Sequence, residues 1–491
     1  MLPALRREVL WVSDSDPVIP PFKERRLLLK RIRFDEKVEI RDSTRALILV
    51  VPRARIEQLR ILATENAKPA LDRGIMLFAL LEADADFVPV QDLLKSLSYG
   101  TRIRVEFRDN LADVAESIAR ADNEIGPSCG NVELPPSLPD VSATTRLLLT
   151  RAFHDCTTIQ VKPIGGGFAA ECTLQVHAWL AASQVGPRPM PFFVKAGNPS
   201  EIAKERYNYE QVAGHYIPFN LRPNLIPDRC VVGSDRALIV GNFVEDAIPL
   251  REALQSGQAS TAIFSLFENT LRGFRMQPFT EHNAPSWDLA PFVNDRSWAK
   301  NIRSDVVDLA VSYDLHRNAS EIQEGLVEVA KSLKCRMGPY HGDLHAGNVM
   351  VRHRDSIVID FGSINFGPLT ADPAALEASL VFGDLPPGED FESWRHFVDH
   401  LYGSLSSLSP PVPEAIPTRF SWLYRSVREL RHILVGFEGI EKEAKTVLAA
   451  YLIRFSRLLQ TPLSLPPTFS EKRHAYALVI AERLLEALQH P

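Results

Sequence analysis

Cysteine is scarce in this chain and carries no pattern. The five residues Cys129, Cys156, Cys172, Cys230 and Cys335 never fall into C-x-x-C spacing, which argues against a zinc knuckle or a disulfide framework and leaves reduced thiols. Positive charge is not in excess either. Lys and Arg number 55 against 61 Asp and Glu, a net charge of −6, without the basic footprint that nucleic-acid binding needs. No apolar run approaches the roughly 20 residues of a bilayer crossing, and residues 1–10 carry too many charges and too short an apolar core for a signal peptide. A cytoplasmic protein with no nucleic-acid or membrane partner is expected. No internal repeat is visible. A hydrophobic content of 45% with 24% charged residues describes an ordinary globular chain, and 491 residues leave room for about three domain lengths.

The most informative stretch is His341-Gly342-Asp343-Leu344-His345-Ala346-Gly347-Asn348, followed by Asp360-Phe361-Gly362. Asp343 and Asn348 stand five apart in a D-x-x-x-x-N spacing. In that pattern a carboxylate orients or deprotonates an attacking hydroxyl, and a carboxamide oxygen reaches a magnesium ion. Asp360 is then the second metal ligand. Residues 348–351 and 357–359 read as short apolar strands around a polar turn at 352–356, a hairpin with one metal ligand on each arm. Four fixed residue types at these offsets arise by chance about once in a few hundred chains of this length.

Such chemistry needs a cover for the phosphates. Gly165-Gly166-Gly167 lies between apparent strands at 158–161 and 171–176, so its amides can approach phosphates with no Cβ in the way. Three glycines between strands are, by themselves, more often an ordinary loop. The Pro-rich stretch 186–191 leads into Phe192-Phe193-Val194-Lys195, a strand whose lysine would meet a nucleotide's inner phosphates. Its partner should be a carboxylate on the next helix, at 201–212, where Glu205 and Glu210 are the candidates and Glu205, ten residues on, is preferred. Without the downstream motif, a solvated lysine beside a charged helix face would be the reading.

With His-Gly-Asp in place of His-Arg-Asp, these residues resemble the aminoglycoside phosphotransferase and choline kinase branch of the kinase-like superfamily. The same loop, with Ile359-Asp360-Phe361-Gly362, Gly367-Pro368, Asp372-Pro373-Ala374 and Leu376-Glu377, is similar to the ternary-complex-associated phosphotransferase-like domains of bacterial signalling or conflict systems. The resemblance covers about residues 145–490 and is specific only near the catalytic loop. It implies Asp343 as catalytic base, Asn348 and Asp360 as magnesium ligands, and Lys195 with Glu205 as the phosphate-side ion pair. Gly165, Gly166 and Gly167 would cover the nucleotide, although they depart from G-x-G-x-x-G, and His341 would brace the loop. ATP and Mg2+ are the implied cofactors, and a hydroxyl on a protein or a small molecule is the implied acceptor.

The front of the chain alternates apolar and amphipathic stretches. Residues 9–12, 46–51, 75–81 and 103–107 read as strands, and 54–67, 90–97 and 111–121 as helices. This resembles a receiver-like domain. Asp14 and Asp16 follow the first strand, where receivers keep an acidic pair, but the strand at 46–51 runs into Pro52-Arg53 with no phosphoacceptor aspartate. The connection from Val38-Glu39-Ile40 to Ala46 is too short for a crossover helix. A degenerate receiver used for docking is therefore expected, with a plain α/β module as the alternative.

The expected architecture is an α/β N-terminal module, receiver-like and flavodoxin-type, over 1–125, and a linker over 126–140. A two-lobed α+β protein-kinase-like fold follows, with its N-lobe at 141–245 and a mostly helical C-lobe at 246–491. Near-3.6-residue stripes at Leu423, Val427, Leu430 and Leu434, at Leu448, Leu452, Phe455 and Leu459, and at Leu478, Leu484 and Leu488 mark core faces of C-terminal helices. The Pro-rich stretch 407–417 reads as a long loop. The expected activity is ATP- and magnesium-dependent phosphotransfer in a bacterial signalling or conflict system, with a protein partner docking on the front module. Two rivals are a small-molecule kinase acting on an aminoglycoside- or choline-like acceptor, and a nucleotide-binding pseudokinase adaptor.

Overall fold

The computed structural model describes residues 7–36, 38–41, 43–51, 68–81, 88, 90, 103–120, 129–135, 141–164, 172–181, 189–257, 261–276, 287–293, 304–383, 390–403, 418–434, 451, 452, 455 and 471–490. The chain divides into one unit of Met1–Arg206 with Asn224–Phe243 and another of Tyr207–Pro223 with Val244–Pro491.

In the first unit, β1 (Glu8–Val12), β2 (Leu28–Ile32), β3 (Thr44–Val51), β4 (Met76–Leu81) and β5 (Ile103–Phe107) form a sheet in the order β2-β1-β3-β4-β5. Every neighbouring pair is parallel, and 2-1-3-4-5 is an order of doubly wound α/β sheets. A parallel sheet is covered on both faces, so its strands must be apolar almost throughout. Leu10, Val12, Leu47, Leu49, Leu77 and Ala79 fill the core on one face. Val9, Trp11, Ile48, Val50, Phe78 and Leu80 fill the other, against the helix Leu111–Arg120, which turns Leu111, Val114, Ala115 and Ile118 inward.

The second strand is Leu28–Ile32. Val38 and Ile40, which read as an extended stretch, lie between β2 and β3 and are buried in the first core. Two apolar residues spaced by two suffice to cap a core from a connection, and three residues are too few to define a strand period. The helix at 54–67 lies outside the described residues, and of the one at 90–97 only Val90 is described, buried.

The second sheet runs β10-β11-β9-β8-β7-β6, with β6 (Asn131–Glu133), β7 (Cys156–Pro163), β8 (Cys172–Leu180), β9 (Met190–Gly197), β10 (Val231–Val232) and β11 (Ala237–Asn242). It is antiparallel apart from β6, which pairs in parallel with Thr158–Gln160 and comes from the middle of the stretch expected to be a linker. The helix Ala143–Ala152, capped by Ser142 Oγ accepting from Thr145 N at 3.0 Å, covers this sheet with Leu148, Leu149 and Ala152.

The same helix fastens the two sheets of this unit together. Arg151, 6% exposed, donates to the carbonyls of Leu71 (3.2 Å) and Asp72 (2.7 Å) at the end of the helix Lys68–Asp72, and to that of Val232 (3.2 Å). Asp72 Oδ1 in turn accepts from Ser234 N at 2.7 Å. Burial pulls the Arg151 guanidinium down to about 10.

The second unit is mainly helical. Its long helices are Ala319–Ala330, Ala371–Phe382, Phe391–Tyr402, Ser421–Leu434 and Glu471–Gln489. Leu423, Val427, Leu430, Leu434, Leu452, Phe455, Leu478 and Leu484 are buried, whereas Leu448 and Leu459 lie outside the described residues, as does 407–417. At the centre the fully buried Glu377 accepts from Arg431 Nη2 at 2.6 Å and from the hydroxyls of Tyr402 (2.9 Å) and Tyr451. Among the described residues no helix is long and apolar enough to cross a membrane.

Arg151→Ala should lower stability by about 3 kcal/mol, since it leaves three carbonyls, that of Leu71 buried, short of a donor. Hydrogen exchange should show the amides of 68–81 opening first. A cost under about 1 kcal/mol in denaturant titration would mean that the two sheets are held together elsewhere.

Candidate active site

The strand Met337–Tyr340 pairs antiparallel with Asn365–Pro368, from Met337↔Pro368 to Tyr340↔Asn365, so residues 341–364 form a closed excursion from one ribbon. Its first residue, His341, is fully buried, with Nε2 donating to Ile359 O at 3.0 Å. The amides of His341 and Gly342 both donate to the buried carboxylate of Asp372, at 2.7 and 3.2 Å. Gly342 has φ +85°, and a Cβ there would lie 2.1 Å from Ser363 O. Only glycine fits, which is the physical reason for His-Gly-Asp.

This bracing delivers Asp343 with an exposed side chain. Five residues on, Asn348 is buried and donates Nδ2 to Asp343 O at 2.9 Å, so its amide plane is set with Oδ1 left to accept. Strands Val349–Arg352 and Asp355–Val358 follow, in register from Val349↔Val358 to Arg352↔Asp355, and Ile359 N donates to Asn348 O at 3.0 Å. The turn is thus His353-Arg354 alone, with His353 at φ +56°, tighter than the expected 352–356. Asn348 and Asp360 flank the base of this hairpin.

Asp360 has φ +66°, an unfavourable conformation for a residue with a Cβ, so its surroundings must impose it. Asn208 is one of them: buried, it donates Nδ2 to Phe361 O (3.0 Å) and Gly362 O (3.2 Å). The Phe361 ring rests near those of Tyr209 and His341, at 5.7 and 6.0 Å between centroids. Asn208 and Asp372 escaped the reading of spacing. Asp372 stood in the sequence only as part of a motif, and no local signal marks Asn208, because its partners are 153 residues or more away.

In the other unit, β9 carries Lys195 opposite Thr173 and Ile239. Its Nζ lies 2.9 Å from Glu205 Oε2, with both side chains largely buried, while Glu210 is exposed. A largely buried lysine and carboxylate at this distance hold each other in a narrow geometry. Gly165, Gly166 and Gly167 lie outside the described residues.

Of the acidic pair of the front sheet, the Asp16 carboxylate is engaged. Arg31 on β2 donates to Asp16 Oδ1 and to the carbonyls of Asp14 and Ser13, the last at 3.3 Å.

Whether Asn348 and Asp360 suit a metal follows from the donor chemistry. A carboxamide oxygen and a carboxylate are hard oxygen donors, and two protein ligands with nucleotide phosphates completing the shell is how magnesium is commonly held. Among the described residues no group of three His, Cys, Asp or Glu side chains competes as a metal site. The residues fit.

Gly342→Ala should lose roughly 2 kcal/mol or more of stability, because the new methyl meets Ser363 O in a left-handed conformation. Asp372→Ala should lose about 1–3 kcal/mol by leaving two buried amides unpaired. Asp372→Asn, which keeps one acceptor, should fall between Asp372→Ala and the unaltered chain in thermal unfolding. A Gly342→Ala protein as stable as the parent would contradict this loop geometry.

A model described as the phosphotransferase enzyme family matches residues 184–390. Methylthioribose kinase of Bacillus cereus (strain ATCC 10987 / NRS 248) is 22% identical over 351 residues, which is 61% of this chain and 86% of that protein. Its counterpart in strain AH187 is 22% identical over 348 residues, 61% of this chain and 85% of the relative. Among solved structures, a thermostable mutant of the aminoglycoside phosphotransferase APH(4)-Ia with AMP-PNP and hygromycin B covers 70% of this chain and 99% of its own, at 11% identity and a TM-score of 0.44. Amicoumacin kinase hAmiN covers 67% and 88%, at 14% identity and a TM-score of 0.38. The match to the phosphotransferase enzyme family model takes in Lys195, Glu205, the His-Gly-Asp loop and the hairpin between Asn348 and Asp360.

Proposed function

We propose that the chain is an ATP- and magnesium-dependent kinase that phosphorylates a hydroxyl on a small sugar-like molecule. The observation that carries this reading is the loop 341–360, where a braced turn presents an exposed carboxylate beside two oxygen donors at the base of one hairpin. The sugar-like acceptor is supported by relatives named methylthioribose kinase, matched over most of their length.

Asn348 and Asp360 would hold the magnesium, which neutralises phosphate charge when bound. Lys195, kept in place by Glu205, would steady the inner phosphates. Asp343 accepts a hydrogen bond from the acceptor hydroxyl and aligns its oxygen with the γ-phosphorus. The new O–P bond forms as the bond from γ-phosphorus to the β–γ bridging oxygen breaks, ADP leaves, and the hydroxyl proton passes to Asp343 and on to water. Little covalent work falls to the protein, so placement and charge make up most of the catalysis.

The front module is then a contact surface rather than a phosphoacceptor, because its strand Thr44–Val51 ends without an aspartate and Arg31 holds the Asp16 carboxylate. A signalling role for the chain would lie there. Acetyl phosphate should leave residues 1–125 unmodified, and stable acid-labile phosphate on Asp14 or Asp16 would restore a working receiver.

In thermal shift, ATP should stabilise the full chain more with magnesium than without. Asp360→Asn should remove most of that difference. Asp343→Asn should keep it and lower conversion of ATP and 5-methylthioribose to ADP and a phosphorylated sugar by roughly 10³-fold or more. Equal loss of nucleotide binding in the two variants would overturn the roles given to the aspartates. A parent chain that turns over ATP with other hydroxyl acceptors but not with methylthioribose would move the acceptor elsewhere in the family.

A further inference from the structure

His345 sits inside the loop with no part in the scheme above, yet its ring is engaged by Gly347. Gly347 N donates to Nδ1 at 3.0 Å. A Cβ on Gly347 would lie 3.0 Å from both Nδ1 and Cε1, so the ring rests over that glycine and would be crowded by any other residue. The backbone is equally constrained, with His345 N donating to Asp343 O at 3.0 Å and His345 O accepting from Asn348 N at 2.9 Å.

A backbone N–H directed at Nδ1 requires a lone pair there, which puts the ring proton on Nε2. Nε2 is 3.9 Å from Asp343 Oδ2. That is beyond a hydrogen bond. It is close enough for the N–H dipole to act on the carboxylate, and contacts of this kind shorten when a site is loaded.

We infer that His345 is a positioning residue for Asp343, its Nε2–H holding one carboxylate oxygen so that the other faces the acceptor hydroxyl. The inference rests on reading Asp343 as the acceptor-facing group. A neutral donor suits the task, because a full cation at the same place would pair with the carboxylate and reduce its readiness to take a proton. Gly347 belongs to the same device, since it makes room for the ring.

The two functions of the ring can be separated. His345→Asn keeps an acceptor near the position of Nδ1 and so can still cap the turn, but has nothing at Nε2. His345→Gln offers an amide donor near Nε2 and gives up the cap. With the full chain, magnesium and ATP, turnover to ADP should stay within about threefold of the parent in His345→Gln. It should fall on the order of tenfold or more in His345→Asn, with KM for ATP unchanged in both. The opposite order, Asn active and Gln impaired, would make His345 a turn cap only and overturn the inference.

A second measurement does not depend on turnover. In long-range 15N–1H spectra of histidine-labelled protein, assigned by loss of the signal in His345→Asn, His345 should show a protonated Nε2 and a bare Nδ1. Its Nε2 signal should shift in Asp343→Asn. A protonated Nδ1, or an Nε2 signal indifferent to Asp343→Asn, would overturn the inference. A parent chain whose ATP turnover equals that of Asp343→Asn would instead defeat the phosphotransfer reading, and the spectra would still decide the His345 contact.

Discussion

The carboxylate of Asp372 is the constraint on which the loop depends. Two consecutive amides, those of His341 and Gly342, converge on it from a turn in which Gly342 takes φ +85°. Peptide groups turned away from any ladder cost free energy if buried alone, and one carboxylate with two oxygens satisfies both. With those amides held, His341 can reach Ile359 O, and the start of the excursion is fastened to its far end just before Asp360. Asp343 stands exposed between the buried His341 and Leu344.

Rigidity of this kind needs a firm base. Asp372 lies in the first turn of the helix Ala371–Phe382, and one and a half turns later the same helix carries Glu377 into contact with Arg431, Tyr402 and Tyr451. A buried ion pair adds little net stability over apolar packing, but its geometry is narrow, and breaking one partner costs about 3–5 kcal/mol. The pair therefore sets helix register more than it adds stability. A slip of one residue in that helix would carry Asp372 away from the amides it serves.

In the other unit, two sheets of opposite character share a boundary. The parallel front sheet is apolar on both faces, while the small-lobe sheet alternates buried and half-buried residues, as along Cys172–Leu180, where Leu174, Val176 and Ala178 are buried between half-buried neighbours. Arg151 joins them through the backbone carbonyls of Leu71, Asp72 and Val232. The edge strand Asn131–Glu133 adds to this continuity, where composition had suggested a tether.

By itself the sequence determined what local spacing can encode. The apolar runs of β1, β3, β4 and β5, the helix Leu111–Arg120 and the hairpin between Asn348 and Asp360 all announce themselves within a few residues, because their periods or turn residues are local. Asp343, Asn348 and Asp360 were legible for the same reason: 18 residues hold all three. Leu28–Ile32 was not, since Lys30 and Arg31 break its apolar pattern; it is an edge strand with one face half open. Only the tertiary structure could choose Glu205 over Glu210, reveal Asn208 and Asp372 as the supports of Asp360 and Gly342, or place Arg31 on Asp14 and Asp16. Each of these is a meeting of side chains with partners ten to more than a hundred and fifty residues away, and no period along the chain records which distant carbonyl or carboxylate a folded backbone will bring within 3 Å.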